Sequence, residues 1–255
     1  MGQVPDRTSA SARSPYGFVG DGRLSRHWRH YFTGLGLSWS LWSRRLARAD
    51  GLTPATALAG CQVILLAVAD DAVEPVHSQL CAAGLDDRTF VHFCGGRSFP
   101  GIFGTHPLMS FGTSLYEPCF YSRIPVFAET GADGADPVAR FRSLFPRLVN
   151  PCFPLAATDK AYYHALCSLA GGMTAVLWRD FFAAMESRFG APRDALAGYP
   201  RRILENVLAS GGGALTGPVA RGDSGTIEAH LAALDGSALG IVYRAFIQAA
   251  RSESA

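Results

Sequence analysis

Lysine is almost missing from this sequence. All but one of its 23 basic residues are arginine, and the exception is Lys160. No physical requirement explains that bias. Set against 21 acidic residues it leaves a net charge of +2, which argues against a dedicated nucleic-acid binder. Long apolar runs are missing too. The longest, Val63 to Ala69, falls far short of the roughly 20 residues a bilayer span needs, so no membrane partner is expected. Paired cysteines are missing: the six thiols at 61, 81, 94, 119, 152 and 167 include no CxxC and follow no regular spacing. That excludes a zinc site of the usual spacing and a compact disulfide framework, and no metal is expected. The cysteines read as reduced thiols of a cytoplasmic protein. The polar start has no apolar segment behind it, so residues 1–14 read as a disordered tail and not as a signal peptide.

What is present is core material. Apolar residues make up 48% and charged residues 17% of 255, enough for one large domain or two small ones. Tyr16 to Val19 reads as a short strand ending at Gly20-Asp21-Gly22, and an amphipathic helix follows from about Leu24 to Gly34. Leu37 to Trp42 alternates as a second strand. Cys61 to Ala69 is a continuous apolar run, as in a strand buried on both faces of a parallel sheet. Ala72 to Ala83 reads as a helix, Thr89 to Phe93 and Ile124 to Glu129 as strands, and Pro137 to Leu148 as a helix. This is βαβ grammar. From Asp159 onward only helical periodicity remains: Lys160 to Leu177, Trp178 to Phe189, Ala195 to Ala209, Thr226 to Leu234 and Tyr243 to Ala250. The expectation is a Rossmann-like α/β domain with a mostly parallel sheet over 15–155, then an all-α domain over 156–255.

A strand running into G-x-G-x-x-G/A at a helix start binds a dinucleotide pyrophosphate, through close backbone approach and free helix N–H groups. Here the pattern is Gly20-x-Gly22-x-x-Ser25, with Arg23 and Leu24 opening the helix. By itself it is a weak signal, but the strand and helix around it are in the right order. At the end of the second strand, an acid would hold the ribose of NAD. This chain has Ser43-Arg44-Arg45, which suits the 2′-phosphate of NADP. The structural alternative is a solvated arginine turn. Asp21 argues the other way, because a carboxylate beside pyrophosphate would cost affinity.

These segments resemble a known family, the bacterial proteins that join a Rossmann-like domain to a DUF2520 domain. The family lies within the 6-phosphogluconate dehydrogenase-like superfamily, with pyrroline-5-carboxylate reductase and related NADP oxidoreductases. The resemblance rests on FVGDGRLS (18–25), LWSRR (41–45), VILLAVADDAV (63–73), GTHPLMSF (104–111), DKAYYHAL (159–166) and ALTGPVARGD (214–223) followed by His230-Leu231. It implies NADP as cofactor, with Ala67 and Val68 beside the Gly20, Gly22, Arg23, Leu24, Ser25, Ser43, Arg44 and Arg45 set. It also implies a homodimer formed through the helical domain, and hydride transfer to or from a small carbonyl, imine or hydroxy acid bound between the domains. The chain departs from the family in three places: Asp21 between the glycines, a short segment between Cys94 and His106, and Gly171-Gly172 where relatives carry an Asn. The missing Asn and the short 94–106 segment motivate the alternative of a non-catalytic NADP-binding regulatory or dimeric interaction protein.

Proton-transfer candidates follow from spacing. Lys160 and His164 are i, i+4 and share a helix face, with Tyr163 beside them. His106 precedes Pro107, which restrains its backbone to an extended form. Lys160, His164 and His106 are the catalytic candidates; His106, Tyr163 and Arg221 are the substrate-binding candidates. The structural alternatives are an exposed helix start for Lys160, interdomain packing for Tyr163 and His164, a loop-bonding imidazole for His106, and an ion pair for Arg221. Asp70-Asp71 reads as a helix cap, and Asp223 as the cap of the helix leading to His230.

Overall fold

The computed structural model describes residues 15–131, 133–210 and 215–252. The tail expected over 1–14 lies outside them. The chain divides into two compact units, Met1–Thr174 and Ala175–Ala255. The first therefore continues past the change of character expected near Pro154.

In the first unit the order is β1 (Tyr16–Val19), α1 (Arg23–Gly34), β2 (Trp39–Trp42), α2 (Arg44–Asp50), α3 (Pro54–Leu58), β3 (Val63–Leu66), α4 (Val73–Leu80) and β4 (Thr89–His92). Then come β5 (Phe103–Pro107), α5 (Pro118–Tyr121), β6 (Val126–Glu129), α6 (Pro137–Leu144), β7 (Cys152–Leu155) and α7 (Lys160–Cys167). The strands make one seven-stranded sheet in the order β2-β1-β3-β4-β5-β6-β7. Pairs from β2 to β5 are parallel, β6 is antiparallel to β5, and β7 is parallel to β6. From β1 the chain moves outward to β2, then returns across β1 to β3. That reversal opens a crevice at the carboxyl ends of β1 and β3, where α/β sheets bind ligands.

Both faces of the centre are covered, so β1 and β3 are buried at every position. Phe18, Leu65 and Val91 point into one core with Trp28, Tyr31 and Phe32 of α1. Val19, Ile64, Leu66 and Phe90 point into the other, with Leu58, Val73 and Leu80. Burying each such side chain stabilises by roughly 1.5–3 kcal/mol. Gly17 lets α3 approach, since a Cβ there would sit 2.7 Å from Leu58 Cδ2. On α1, His27 is fully buried, with Nδ1 at 2.8 Å from the Tyr121 hydroxyl and Nε2 at 3.0 Å from the Gly112 carbonyl. It pins the stretch after β5 to α1.

Two strands were not expected. β5 contains Gly104 and Pro107 and shows no alternation, and β7 contains Pro154, which has no N–H to give a ladder. β7 stands at the sheet edge with Phe153 and Pro154 exposed, the place where proline is tolerated. The polar Ser43-Arg44-Arg45 stretch opens a helix, α2, capped by the Ser43 hydroxyl, which accepts from Leu46 N at 3.2 Å. The helix expected to Leu148 stops at Leu144, because Phe145 leaves helical geometry. No helix stands between β4 and β5, in line with the short 94–106 segment.

Every regular element among the described residues of the second unit is a helix. The unit comprises α8 (Thr174–Phe189), which begins at the last residue of the first unit, then α9 (Arg193–Leu196), α10 (Gly198–Ser210), α11 (Pro218–Arg221), α12 (Ser224–Ala233) and α13 (Ala238–Ser252). Asp223 caps α12, its carboxylate accepting from Thr226 N and Oγ1. Among the unit's described residues Ile227 and Ile247 are the buried large apolar ones, while Phe189, Leu204, Leu208 and Ile241 are exposed. No helix among the described residues is long and apolar enough to cross a membrane, and all six cysteines are free.

Candidate active site

The crevice at the carboxyl ends of β1, β2 and β3 is a cavity of about 560 Å³. Its floor is the glycine turn. Gly20 takes a φ of 98°, which glycine enters without steric cost, and a Cβ there would run into the Ala67 carbonyl. Gly20 N donates to the Trp42 carbonyl at 2.9 Å, tying the turn to β2. Gly22 caps α1 without any side-chain bond, and no acid stands in the first turn. The leading N–H groups of α1 therefore stay free, at the positive end of the helix dipole, beside open space at Gly22. An anion fits there.

Of the expected cofactor residues, Gly20, Gly22, Arg23, Leu24, Ser43, Arg44, Arg45, Ala67 and Val68 all line this cavity. Ser25 does not. It is fully buried, and its hydroxyl donates to the Gly20 carbonyl at 2.7 Å, closing the turn from beneath. The Ser43 hydroxyl is committed to its helix cap. Asp21 is met by Arg45, whose Nε and Nη2 lie 2.7 and 2.5 Å from Oδ2. The carboxylate that looked hostile to phosphate is thus neutralised from the end of the second strand. Arg44 forms no ion pair among the described residues and remains available to a further anion.

Past Phe93, which also lines the cavity, Gly95-Gly96 turns the chain after β4. Two imidazoles rest on this turn. A Cβ on Gly95 would lie 2.9 Å from His106 Nε2 and 2.7 Å from His164 Cδ2, and one on Gly96 would lie 3.1 Å from His164 Nδ1. The rings stand 5.7 Å apart at 89°. His106 Nδ1 and the Tyr163 hydroxyl are hydrogen-bonded at 2.7 Å, so Nε2 is the ring nitrogen of His106 left for a ligand. Burial, aided by His164 and Lys160, lowers His106 to about 4, so its imidazole is neutral at pH 7; Asp70 of the cavity wall opposes that shift. Burial and the Cys167 thiol push the Tyr163 phenol up, so it stays protonated.

Lys160 is not an exposed helix start. It is 2% exposed, and Nζ donates to Glu129 Oε2 at 2.6 Å. The same oxygen lies 3.5 Å from His92 Nε2. Cys94 N donates to His92 Nδ1 at 3.2 Å, so a neutral His92 ring carries its proton on Nε2, facing Glu129. At 3.5 Å the contact is long for a hydrogen bond, and Nε2 has no other partner among the described residues. Burial alone would raise the Glu129 carboxyl, but the His92 N–H, Lys160 and Ser98 outweigh it and bring it down to about 2. Gly104, opposite His92 in the sheet, leaves the room this needs, since a Cβ there would collide with the Glu129 carboxylate.

The site thus brings Lys160, Tyr163, His164 and His106 together. Arg221 belongs to the second unit, where it is exposed at the end of α11. Gly171 and Gly172 lie in a widened helical stretch between α7 and α8. Sequence reasoning passed over His92 and Glu129. A single acid ending a strand reads as a solvated end; only the register that sets β6 beside β5 reveals its partners.

The fold and the glycine turn define a Rossmann-like protein with a helical second unit. Residues 125–250 match the family described as a domain of unknown function (DUF2520). Its fold is shared with three solved structures of low identity. A Thermotoga maritima protein is 21% identical, with 93% of this chain and 97% of that one covered and a TM-score of 0.66. An imine reductase from Streptomyces aurantiacus is 14% identical, with 93% of each covered and a TM-score of 0.62. A reductive aminase from Aspergillus terreus, solved with NADPH and ethyl levulinate, is 15% identical, with 94% and 93% covered and a TM-score of 0.60. No curated protein matches in sequence.

Proposed function

We propose that this protein is an NADP(H)-dependent oxidoreductase that transfers a hydride to or from a small carbonyl, imine or hydroxy-acid substrate. The observation that carries the reading is the uncapped start of α1 at a switch-point crevice that Arg44 also lines. The named activities of the imine reductase and of the NADPH-bound reductive aminase, which share the fold, agree with it. The free N–H groups of α1 hold the pyrophosphate, Arg45 cancels Asp21, and Arg44 pairs with the 2′-phosphate. NADPH, when bound, supplies the hydride. His106 and His164 face the substrate: His106 Nε2 hydrogen-bonds its oxygen or nitrogen, and His164 is the nearest group to exchange a proton with it. Lys160 adds positive potential from the buried side.

The test is a panel of small carbonyls, imines and hydroxy acids assayed with NADPH or NADP. The reading expects turnover of at least one, and His106→Ala to lower kcat by roughly a hundred- to ten-thousand-fold with NADPH affinity unchanged. Tight NADPH binding without turnover across the panel would instead favour a regulatory or interaction protein that keeps the fold. The exposed Phe189, Leu204, Leu208 and Ile241 of the helical unit favour self-association under either reading. We infer a homodimer through that unit, which sedimentation would show as a species of twice the 27.2 kDa chain mass.

A further inference from the structure

Two elements carry the imidazole pair's surroundings, and one carboxylate touches both. α7 begins at Lys160 and presents Tyr163 and His164 one turn later. The turn at 94–96 begins where Cys94 N donates to His92, and its glycines bed both rings. Glu129 Oε2 takes the Lys160 ammonium at 2.6 Å and faces His92 Nε2 at 3.5 Å. It reaches both across Gly104, the one residue there without a side chain to block it.

We propose that Glu129 is the positioning residue of this site, locking α7 to the 94–96 turn through Lys160 and His92, so that Tyr163 meets His106 Nδ1 and fixes that ring in a single tautomer. Glu129 touches neither imidazole and acts only through the elements it joins. Its value to catalysis rests on the oxidoreductase reading. The Tyr163 hydroxyl can donate to Nδ1 or accept from it, and holding it in one orientation keeps one of these two arrangements, which decides the proton state Nε2 offers to a substrate. Without the Glu129 charge, the Lys160 ammonium is left buried and unpaired, and the first turn of α7 must move to hydrate it. Tyr163 stands less than one helical turn further on, and its 2.7 Å bond to His106 does not survive such a shift.

The test reads imidazole nitrogens by ¹⁵N NMR at pH 7, with no nucleotide present. In the wild type His106 is expected to show one tautomer. In Glu129→Gln it should show the averaged signature of two, while His27, buried on α1 and bonded at both nitrogens, stays unchanged. Should that variant not fold, Glu129→Leu combined with Lys160→Met removes both charges and leaves no unpaired one. With the tie between Glu129 and α7 gone but no charge left to hydrate, it is expected to keep the His27 signature and to show a second His106 tautomer in smaller proportion. An unchanged His106 in the folded variant would overturn the proposal, and so would averaging in the wild type. A parallel change in His27 would also overturn it, by making Glu129 a general stabiliser. Failure of NADPH to bind would overturn the functional reading alone, since no cofactor enters this measurement.

Discussion

The two ends of the candidate site each hold an acid paired with a base, and they use the pair in opposite ways. At the glycine turn, Asp21 meets Arg45 near the surface, with the arginine side chain 75% exposed. Water screens that pair, so it contributes little to folding, and its effect is to cancel a negative charge beside the free start of α1. At the imidazole end, Glu129 meets Lys160, 11% and 3% exposed. There the ions have given up hydration, and each depends on the other. The lesson is that burial, more than distance, decides what an ion pair does: 2.5 Å at one end and 2.6 Å at the other lead to different physics.

The largest expected effect comes from breaking the buried pair on one side. Glu129→Leu should cost about 3–5 kcal/mol by stranding Lys160, and adding Lys160→Met should recover most of it. Denaturant midpoints of the two variants check this, and equal midpoints would put the pair in water. The next effect is acid sensitivity. His106 falls from its ordinary value of 6.5 to about 4 in the fold. The unfolded chain therefore takes up this proton first as pH drops below 6.5. Stability from His106 is full above that value and is lost by about pH 4, a change of up to a few kcal/mol. Glu129, lowered from 4.5 to about 2, adds a second loss between those values. Melting curves from pH 8 to 3 should show the first step removed in His106→Phe and the second kept.

Smaller effects belong to the glycine turn. Arg44→Ala should weaken NADPH by roughly 1–3 kcal/mol and leave NADH almost unchanged, since one charge-assisted contact is lost. Arg45→Ala should weaken both nucleotides alike, by about 1 kcal/mol, because Asp21 then faces the phosphates uncompensated. Adding Asp21→Asn to Arg45→Ala should restore that loss while moving folding stability by less than about 1 kcal/mol. Calorimetric titration of the three variants with both nucleotides separates these outcomes.

The legibility of the sequence divides along the same line. The glycine turn could be read because its chemistry is local: strand, Gly20-x-Gly22, helix and the Ser43-Arg44-Arg45 end follow one another in the chain. The central strands could be read because both faces are covered, leaving an unbroken apolar run at Val63–Ala69. β5 and β7 could not, because Gly104, Pro107 and Pro154 are turn signals everywhere except at a clearance or an edge. The surroundings of Lys160 were hidden for the same reason. Glu129 lies 31 positions away and His92 further still, brought together by sheet register and by the missing side chain of Gly104. The Asp21 difficulty dissolved through Arg45, 24 positions on, which no local pattern couples to it.

The most direct test of the account is a calorimetric titration of the purified protein with NADPH and NADH. NADPH is expected to bind more tightly, and Arg44→Ala to remove most of the difference. Failure of both nucleotides to bind would contradict it and leave the Rossmann-like unit as an interaction module built on a nucleotide-binding fold.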